Sequence, residues 1–404
     1  MVVELSSTGS MKMSWASSFM PVLSAISEET VRKKEFSGLR IGLVLHIEAK
    51  TAVLAARIQE AGAEVYVAAS NPLTTQDDVV SALSTKVTKV WAKRGETEQE
   101  YAEAIRNVLA SKPDFLIDDG ADCIVQSHLL GVSSIKGASE ETTTGVNRVR
   151  ALAGQGKLRY PVVALNDAFT KHLFDNRYGT GQSALDGLMR STNLLIAGRQ
   201  VVVAGYGWVG RGVAQRLRGL GARVTVTETD PVRAIEAYME GYTVLPMQEA
   251  IVDADILVTT TGNTKVVTEE HFEKAKNGLI LANAGHFNVE VDVVHLEKFS
   301  SAKREVRPNV TEYSYKGKKL YLISEGRLVN IAAADGHPVD VMDMSFSGQF
   351  AALRYLVNNW SKMKPDIATL PLDVDLEIAK TFLRAHGVKI DALTEEQKKY
   401  ISSF

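Results

Sequence analysis

The sequence has 404 residues, enough for two domains with separate cores, and its 45% apolar and 23% charged content is that of an ordinary globular chain. A formal net charge of −2 gives no electrostatic reason to expect nucleic acid or an anionic membrane as a partner, and no apolar run approaches the roughly 20 residues that span a bilayer. With Cys123 as its one cysteine the chain has no intrachain disulfide and no thiolate metal cluster, which fits a reducing, cytoplasmic compartment; the eight histidines show no ligand spacing, so no metal is expected.

In chain order, the opening MVVELSSTGSMK lacks an apolar signal core and reads as a ragged N-terminus rather than a structural element. Residues 38–46 then form an apolar strand, 51–61 an amphipathic helix and 64–69 a second strand. A strand over 87–92, a helix over 98–111 and a strand over 114–118 follow, which is the βαβ order of a parallel sheet covered on both faces. His46, Asp118, Asp119, Asp122 and Asn166 fall just beyond strand ends, the edge at which open α/β sheets bind ligands. A second unit begins at Arg199 with strands at 200–204, 223–228, 256–261 and 279–284, and the Lys-Gly-Lys turn within 313–323 predicts a hairpin at its edge. A long helix over 342–358 and a charged terminal helix close the chain.

The fold class is therefore α/β, with two doubly wound Rossmann-like parallel-sheet domains, the second inserted into the first. The expected division is a substrate domain over 1–180, a dinucleotide domain over 181–336, a return segment over 337–375 and a C-terminal helical segment over 376–404. Hinges are expected near 180–183 and 335–338.

Gly205-Tyr206-Gly207-Trp208-Val209-Gly210 closes a strand and opens a helix. Its glycines permit the tight turn and let a pyrophosphate approach backbone N–H groups at the helix N-terminus. Glu228 ends the next strand 18 residues beyond Gly210, where an acid accepts from a ribose 2′-hydroxyl and repels a 2′-phosphate. NAD is thus expected over NADP, although Arg211 and Arg233 are nearby cations that suit a phosphate. Three further clusters carry reactive groups at close spacing: Asp118–Asp122, Ser139–Gly145 and Leu165–Asn176. Lys171 and Asp175 stand four apart, so on a helix they share a face, which by itself also describes a solvated surface ion pair.

The segments NPLTTQD (71–77), SEETTTGV (139–146), the FDN of 166–179, NAGHFNVEVD (283–292), EGRLVN (325–330) and GHPVDVMDMSF (336–346) resemble the S-adenosylhomocysteine hydrolase family in order and spacing over residues 37–370. The resemblance implies an enzyme that oxidises the substrate's ribose 3′-hydroxyl with tightly held NAD and removes the acidified C4′ proton. Homocysteine then leaves from C5′, water adds, and the ketone is reduced again. It gives Lys171 and Asp175 the 3′-hydroxyl, with Lys171 as a base whose pKa is lowered by burial near the cofactor's positive charge. Glu141 would hold the ribose hydroxyls, Asp119 and His46 handle the C5′ proton and the water, Asn166 position Lys171, and His286 lie where nicotinamide meets sugar. Thr142, Thr143, Thr144, Asn176, Asn283, Ala284, Gly285, Asn330 and His337 would join the glycine segment through Gly212 in holding NAD. His337 would also gate the substrate, with Glu48, Lys50, Thr51, Gln76 and Met342 in the substrate pocket.

Three departures stand out. Thr180 replaces a cysteine found beside the nicotinamide in many members. The lysine- and tyrosine-bearing C-terminal tail through which family subunits reach a neighbour's NAD has no counterpart in Ser402-Ser403-Phe404. Glu48 and Lys50 stand where many relatives have threonine and glutamate. A glutamate suits the adenine amine, whereas Lys50 suits hypoxanthine O6 and Glu48 its N1–H; the plain alternative is that Lys50 points to solvent while Gln76, able to donate and accept, reads adenine. The family's habit suggests a homotetramer. Two other readings stay open: a 2-hydroxy-acid dehydrogenase, which shares the inserted NAD domain, and a catalytically silent NAD-binding relative.

Overall fold

The computed structural model describes residues 2–403. Among these residues, fifteen strands form two sheets. The first contains β1 (Arg40–Leu45), β2 (Glu64–Ala69), β3 (Lys89–Trp91), β4 (Phe115–Asp118), β5 (Gly137–Glu140), β6 (Val162–Ala164) and, from the far end of the chain, β15 (Ile367–Ala368). Its order is β15-β6-β5-β4-β1-β2-β3 and every pairing is parallel. The second contains β7 (Gln200–Ala204), β8 (Arg223–Thr227), β9 (Thr243–Val244), β10 (Ile256–Thr259), β11 (Leu279–Asn283), β12 (Ser300–Arg307), β13 (Val310–Tyr315) and β14 (Lys318–Ile323). Its order is β12-β13-β14-β11-β10-β7-β8-β9, and every strand runs the same way except β13, which is antiparallel to both β12 and β14.

In each sheet the first strand lies in the middle and successive strands are laid down first on one side, then on the other. The crossover from one side to the other leaves a crevice at the C-terminal strand ends, between β1 and β4 in one sheet and between β7 and β10 in the other. Central strands such as β4 and β11 are buried along their whole length, which explains their unbroken apolar character. The expected hairpin is present as β13 and β14; β12, which pairs at its outer edge, was not foreseen, because its charged SSAKREVR sequence is exposed and carries no buried alternation.

The N-terminus corrects the sequence reading. Instead of a ragged end, Val2–Ser18 form helix α1, followed by α2 (Pro21–Lys33). Gly9 makes the docking of α1 possible: a Cβ there would lie 1.9 Å from the Asp78 carbonyl oxygen, so only glycine lets the helix press onto residues 77–83. Met13 and Ala16 on the same side are buried in the core of the first sheet. Asp343, fully buried in the helix Val339–Asn359, accepts from the N–H groups of Val22 and Leu23 at 2.8 and 2.7 Å and so satisfies the free donors at the start of α2.

Asp343→Ala is expected to cost about 1–3 kcal/mol by leaving those buried donors unpaired. A lower urea midpoint would show it, and an unchanged midpoint would mean that water satisfies both groups.

Candidate active site

The crevices of the two sheets open into one cleft of about 830 Å³. From the first sheet come His46, just after β1, Asp119, just after β4, and Glu141, just after β5. From the second come the glycine turn after β7, Thr260–Lys265 after β10 and Ala284–His286 after β11.

Lys171 sits at the junction. It ends the short helix Phe169–Lys171, whose first N–H groups, those of Phe169 and Thr170, donate to Asp375 at 2.7 and 3.2 Å. The chain continues as a π-helix over His172–Gly179, a correction to the expected α-helical spacing. The wider turn pairs residues five apart as well as four apart. The Lys171 Nζ accordingly donates to Asn176 Oδ1 at 2.9 Å and lies 3.3 Å from Asp175 and 3.4 Å from Glu141. All four side chains are buried, so the solvated surface-pair reading is excluded.

Burial pushes the Lys171 ammonium down, but the carboxylates of Asp175, Glu141 and Asp119 outweigh it and hold the group above the ordinary lysine pKa. The expected lowering therefore needs the cofactor's positive charge in addition to burial, which alone does not overcome the carboxylates. Burial also pushes the Asp175 carboxyl up, yet Lys171 and His337 overcome it and hold Asp175 well below the usual range; His337 Nδ1 lies 2.8 Å away. Glu141 goes the other way, raised by burial to about 7 against the pull of Lys171. Ser345 explains how the two carboxylates coexist. Its hydroxyl lies 2.7 Å from Glu141 and 2.9 Å from Asp175 and bridges the two acids. Ser345 and Gln349, which also donates to Glu141, were missed by sequence reasoning; their signal was a pair of polar residues four apart, hence on one face of a helix, among apolar neighbours.

A second group faces Lys171 across the cleft. His46 Nε2 is 3.4 Å from one oxygen of Asp119, and His286 Nδ1 is 3.6 Å from the other. Thr74 fixes the far side of His46 at 2.8 Å. Burial lowers both imidazoles to about 4, so both are neutral at pH 7. Burial raises Asp119, opposed by His46 and Lys171. The neighbouring Asp118 and Glu140 are structural: Asp118 accepts from Asp119 and Ile124 N–H, and Glu140 from Gly120 and Thr142 N–H.

The other half of the cleft fits a dinucleotide. Gly205, at φ 95°, makes the turn, and Gly207 and Trp208 start the following helix with its N–H groups free for a pyrophosphate. Glu228 lines the cleft; burial raises its pKa, but hydrogen bonds from Asp230, Tyr206 and Thr229 N–H win and keep it ionised. Asn330 is 1% exposed and both its amide atoms lack partners among the described residues, although it lines the cleft. Such a pair of orphaned polar atoms fits a ligand rich in hydroxyls and amides.

Thr142, Thr143, Thr144, Asn176, Val209, Arg233, Ala284, Gly285, His337 and Met342 also line the cleft. Six expected site residues do not. Gly210 and Gly212 pack where a Cβ would meet carbonyl oxygens at 2.0 and 1.8 Å. Arg211 turns away to pair with Glu236 and lies over the Trp208 ring. Asn283 clamps the backbone of Gly285, Phe287 and Gly326. Asn166 touches Asn176 rather than Lys171, and Gln76 lines an adjoining cavity. Lys50 is buried beside Glu48 at 2.7 Å and not turned to solvent, which removes the plain alternative for it. Thr180 donates to or accepts from His337 at 3.0 Å. No helix among the described residues is long and apolar enough to cross a membrane.

Two doubly wound sheets meeting at a buried acid–base cluster, one of them with a dinucleotide turn, define an NAD-dependent α/β enzyme. The S-adenosyl-L-homocysteine hydrolase family model matches residues 2–130, and that family's NAD binding domain matches residues 176–336. The chain is 53% identical over 399 residues to an adenosylhomocysteinase from Archaeoglobus fulgidus, covering 98% of each protein. It is 52% identical over 405 residues to an S-inosyl-L-homocysteine hydrolase from Methanocaldococcus jannaschii, covering 100% of this chain and 98% of that one. An adenosylhomocysteinase from Thermotoga maritima is 53% identical over 401 residues, with 98% and 99% covered. The chain belongs to the S-adenosyl-L-homocysteine hydrolase family and is an NAD-dependent hydrolase.

In cofactor-free protein, nitrogen-15 spectra of the histidine rings are expected to show His46 and His286 neutral until the pH falls towards 4. Because their folded pKa values lie below the unfolded 6.5, these rings contribute stability that is present above pH 6.5 and lost as the pH falls through about 4. Midpoints near 6.5 for both would contradict the burial assigned to them.

Proposed function

We propose that the chain reversibly hydrolyses S-adenosyl-L-homocysteine to adenosine and L-homocysteine through transient oxidation at the ribose 3′ position. The observation that carries this is the buried Lys171 with Glu141, Asp175 and Asn176, placed where the dinucleotide half of the cleft meets the His46–Asp119–His286 group. Bound NAD supplies a reversible hydride acceptor, and Glu228, Asn330 and the turn at Gly205 are the residues that would hold it.

Asp175 and Glu141 hold the sugar hydroxyls, since carboxylates accept from them. Lys171 takes the C4′ proton, and for this it must first lose its own. Glu141, with a pKa of about 7 and 3.4 Å away, is the group suited to exchange that proton at neutral pH. His46, neutral and hydrogen-bonded to Thr74, and Asp119 stand on the opposite side to handle the proton of the leaving thiol and of the entering water. Asn166 supports Asn176, which orients Lys171.

The chain crosses between the sheets at two places that lie side by side: Thr180 meets His337, and Arg190 pairs with Asp335 at 3.0 Å. Residues 181–336 are read as the NAD domain, with 180–183 and 335–338 as hinges about which the cleft closes and controls water. A homotetramer and a cytoplasmic location complete this reading, supported by family membership and by the single cysteine, buried Cys123.

A second reading keeps every step and changes the base, with S-inosyl-L-homocysteine as the substrate. The observation favouring it is the ammonium of Lys50, buried at the edge of the cleft, a donor suited to hypoxanthine O6.

Lys171→Ala is expected to lower kcat by about 10²–10⁴-fold while protein-bound NAD, measured after denaturation, stays at the wild-type level. Wild-type protein should release homocysteine without accumulating NADH absorbance. Near-normal turnover by the variant, or one NADH per homocysteine, would contradict the assignment.

A further inference from the structure

Lys12, on helix α1, reaches Gln76, one of the residues expected in the substrate pocket. Its ammonium donates to Gln76 Oε1 at 3.0 Å and pairs with Asp78 at 2.7 Å. Gln76 lines a cavity of about 640 Å³ that lies between α1 and the 335–339 segment and shares Glu48, Lys50, Gly336 and His337 with the main cleft. The two spaces therefore meet at the Glu48–Lys50 pair.

A glutamine alone is ambiguous, because its amide can turn to present either an acceptor or a donor. Lys12 removes that ambiguity. An ammonium has only donors, so the atom facing it must be the oxygen, and the NH₂ group is left for another partner. Among the described residues that NH₂ makes no hydrogen bond. The carboxylate of Asp78 keeps the Lys12 ammonium in place. Lys50 lies 3.0 Å from the Asp335 carbonyl oxygen and 2.7 Å from Glu48, so at this end it too contributes donors only.

We propose that Lys12 is a specificity-determining residue that acts through Gln76, fixing its amide with the NH₂ towards the purine and so favouring an oxo group over an amino group at the base's 6-position. It is a positioning residue, not a catalytic one. The proposal rests on the nucleosyl-homocysteine reading above and deepens it, by assigning part of the choice between hypoxanthine and adenine to a helix outside the cleft. Gln76 and Lys50 supply donors for O6, whereas the adenine amine would meet donors; Glu48, expected to accept from N1–H, is instead engaged as the N-cap of its helix, accepting from the Lys50 and Thr51 N–H groups.

The test compares NAD-loaded wild type with Lys12→Arg, Lys12→Met and Lys12→Glu, measuring kcat/KM for S-inosyl- and S-adenosyl-homocysteine and calorimetric binding of inosine and adenosine. Arginine keeps the donor and should keep the wild-type inosyl-to-adenosyl ratio. Methionine frees the amide and should shift the ratio towards adenosyl by about tenfold, the effect of one unpaired polar group. Glutamate, an acceptor, turns the NH₂ to itself and should shift the ratio further. Loss of folding or of α1 docking lowers both substrates together and leaves the ratio alone, so equal ratios in all four proteins overturn the role of Lys12. Should wild type turn over neither substrate, the hydrolase reading fails; the inosine-to-adenosine binding ratios then decide Lys12 by the same order.

Discussion

A lysine ammonium taken out of water costs several kcal/mol unless carboxylates meet it, and carboxylates gathered in one buried place repel each other unless a cation or a shared proton separates them. Lys171, Asp175 and Glu141 solve both problems at once, because the two carboxylates lie within 3.4 Å of the ammonium and Ser345 joins the two acids. Much of the surrounding structure serves that arrangement. Asp375 anchors the start of the Lys171 helix, the π turn brings Asp175 and Asn176 to the same side, and Gln349 fixes Glu141 from behind. The same balance leaves one proton close to neutrality, on Glu141, which is what a reversible proton transfer needs.

The fold supplies the place rather than the chemistry. Two sheets of the same winding each leave a crevice at the crossover strands, and facing the two crevices brings a cofactor site against a substrate site without long loops. The neutral His46 and His286 across from Lys171 follow from depth: so far from water, their charged forms are disfavoured despite Asp119 beside them. One half of the cleft is thus rich in charge and the other holds neutral rings, a division suited to removing a proton on one side of a sugar and delivering one on the other.

Much of this was legible in the sequence. Apolar strands ending in His46, Asp119 and the glycine turn announce their roles, because strand ends in parallel sheets face ligands whatever the tertiary detail. The rest depended on contacts between distant segments. Helix α1 has a Ser-, Thr- and Gly-containing sequence that by local preference reads as a loop, and only its packing on residues 77–83 makes it a helix. The π turn leaves no compositional mark, so i,i+4 spacing suggested an ordinary helix. The contacts also set two features that local pattern leaves open: carboxylates raise Lys171 where desolvation alone would lower it, and Lys50 lies inside, as the pocket reading expects, rather than at the surface. Lys12 meets Gln76 across 64 residues of sequence, a pairing no local pattern shows.

The central claim is that Lys171 and its carboxylates carry a proton between the ribose C4′ and solvent. Incubating the NAD-loaded enzyme with the product nucleoside in deuterated water, and reading each sugar position by proton NMR and mass spectrometry, tests it most directly. The account predicts deuterium at C4′ and none at C3′, with the C4′ exchange lost in Lys171→Ala. Hydrolysis of the nucleosyl-homocysteine by wild type with no deuterium entering C4′ would mean direct displacement at C5′ and would contradict it.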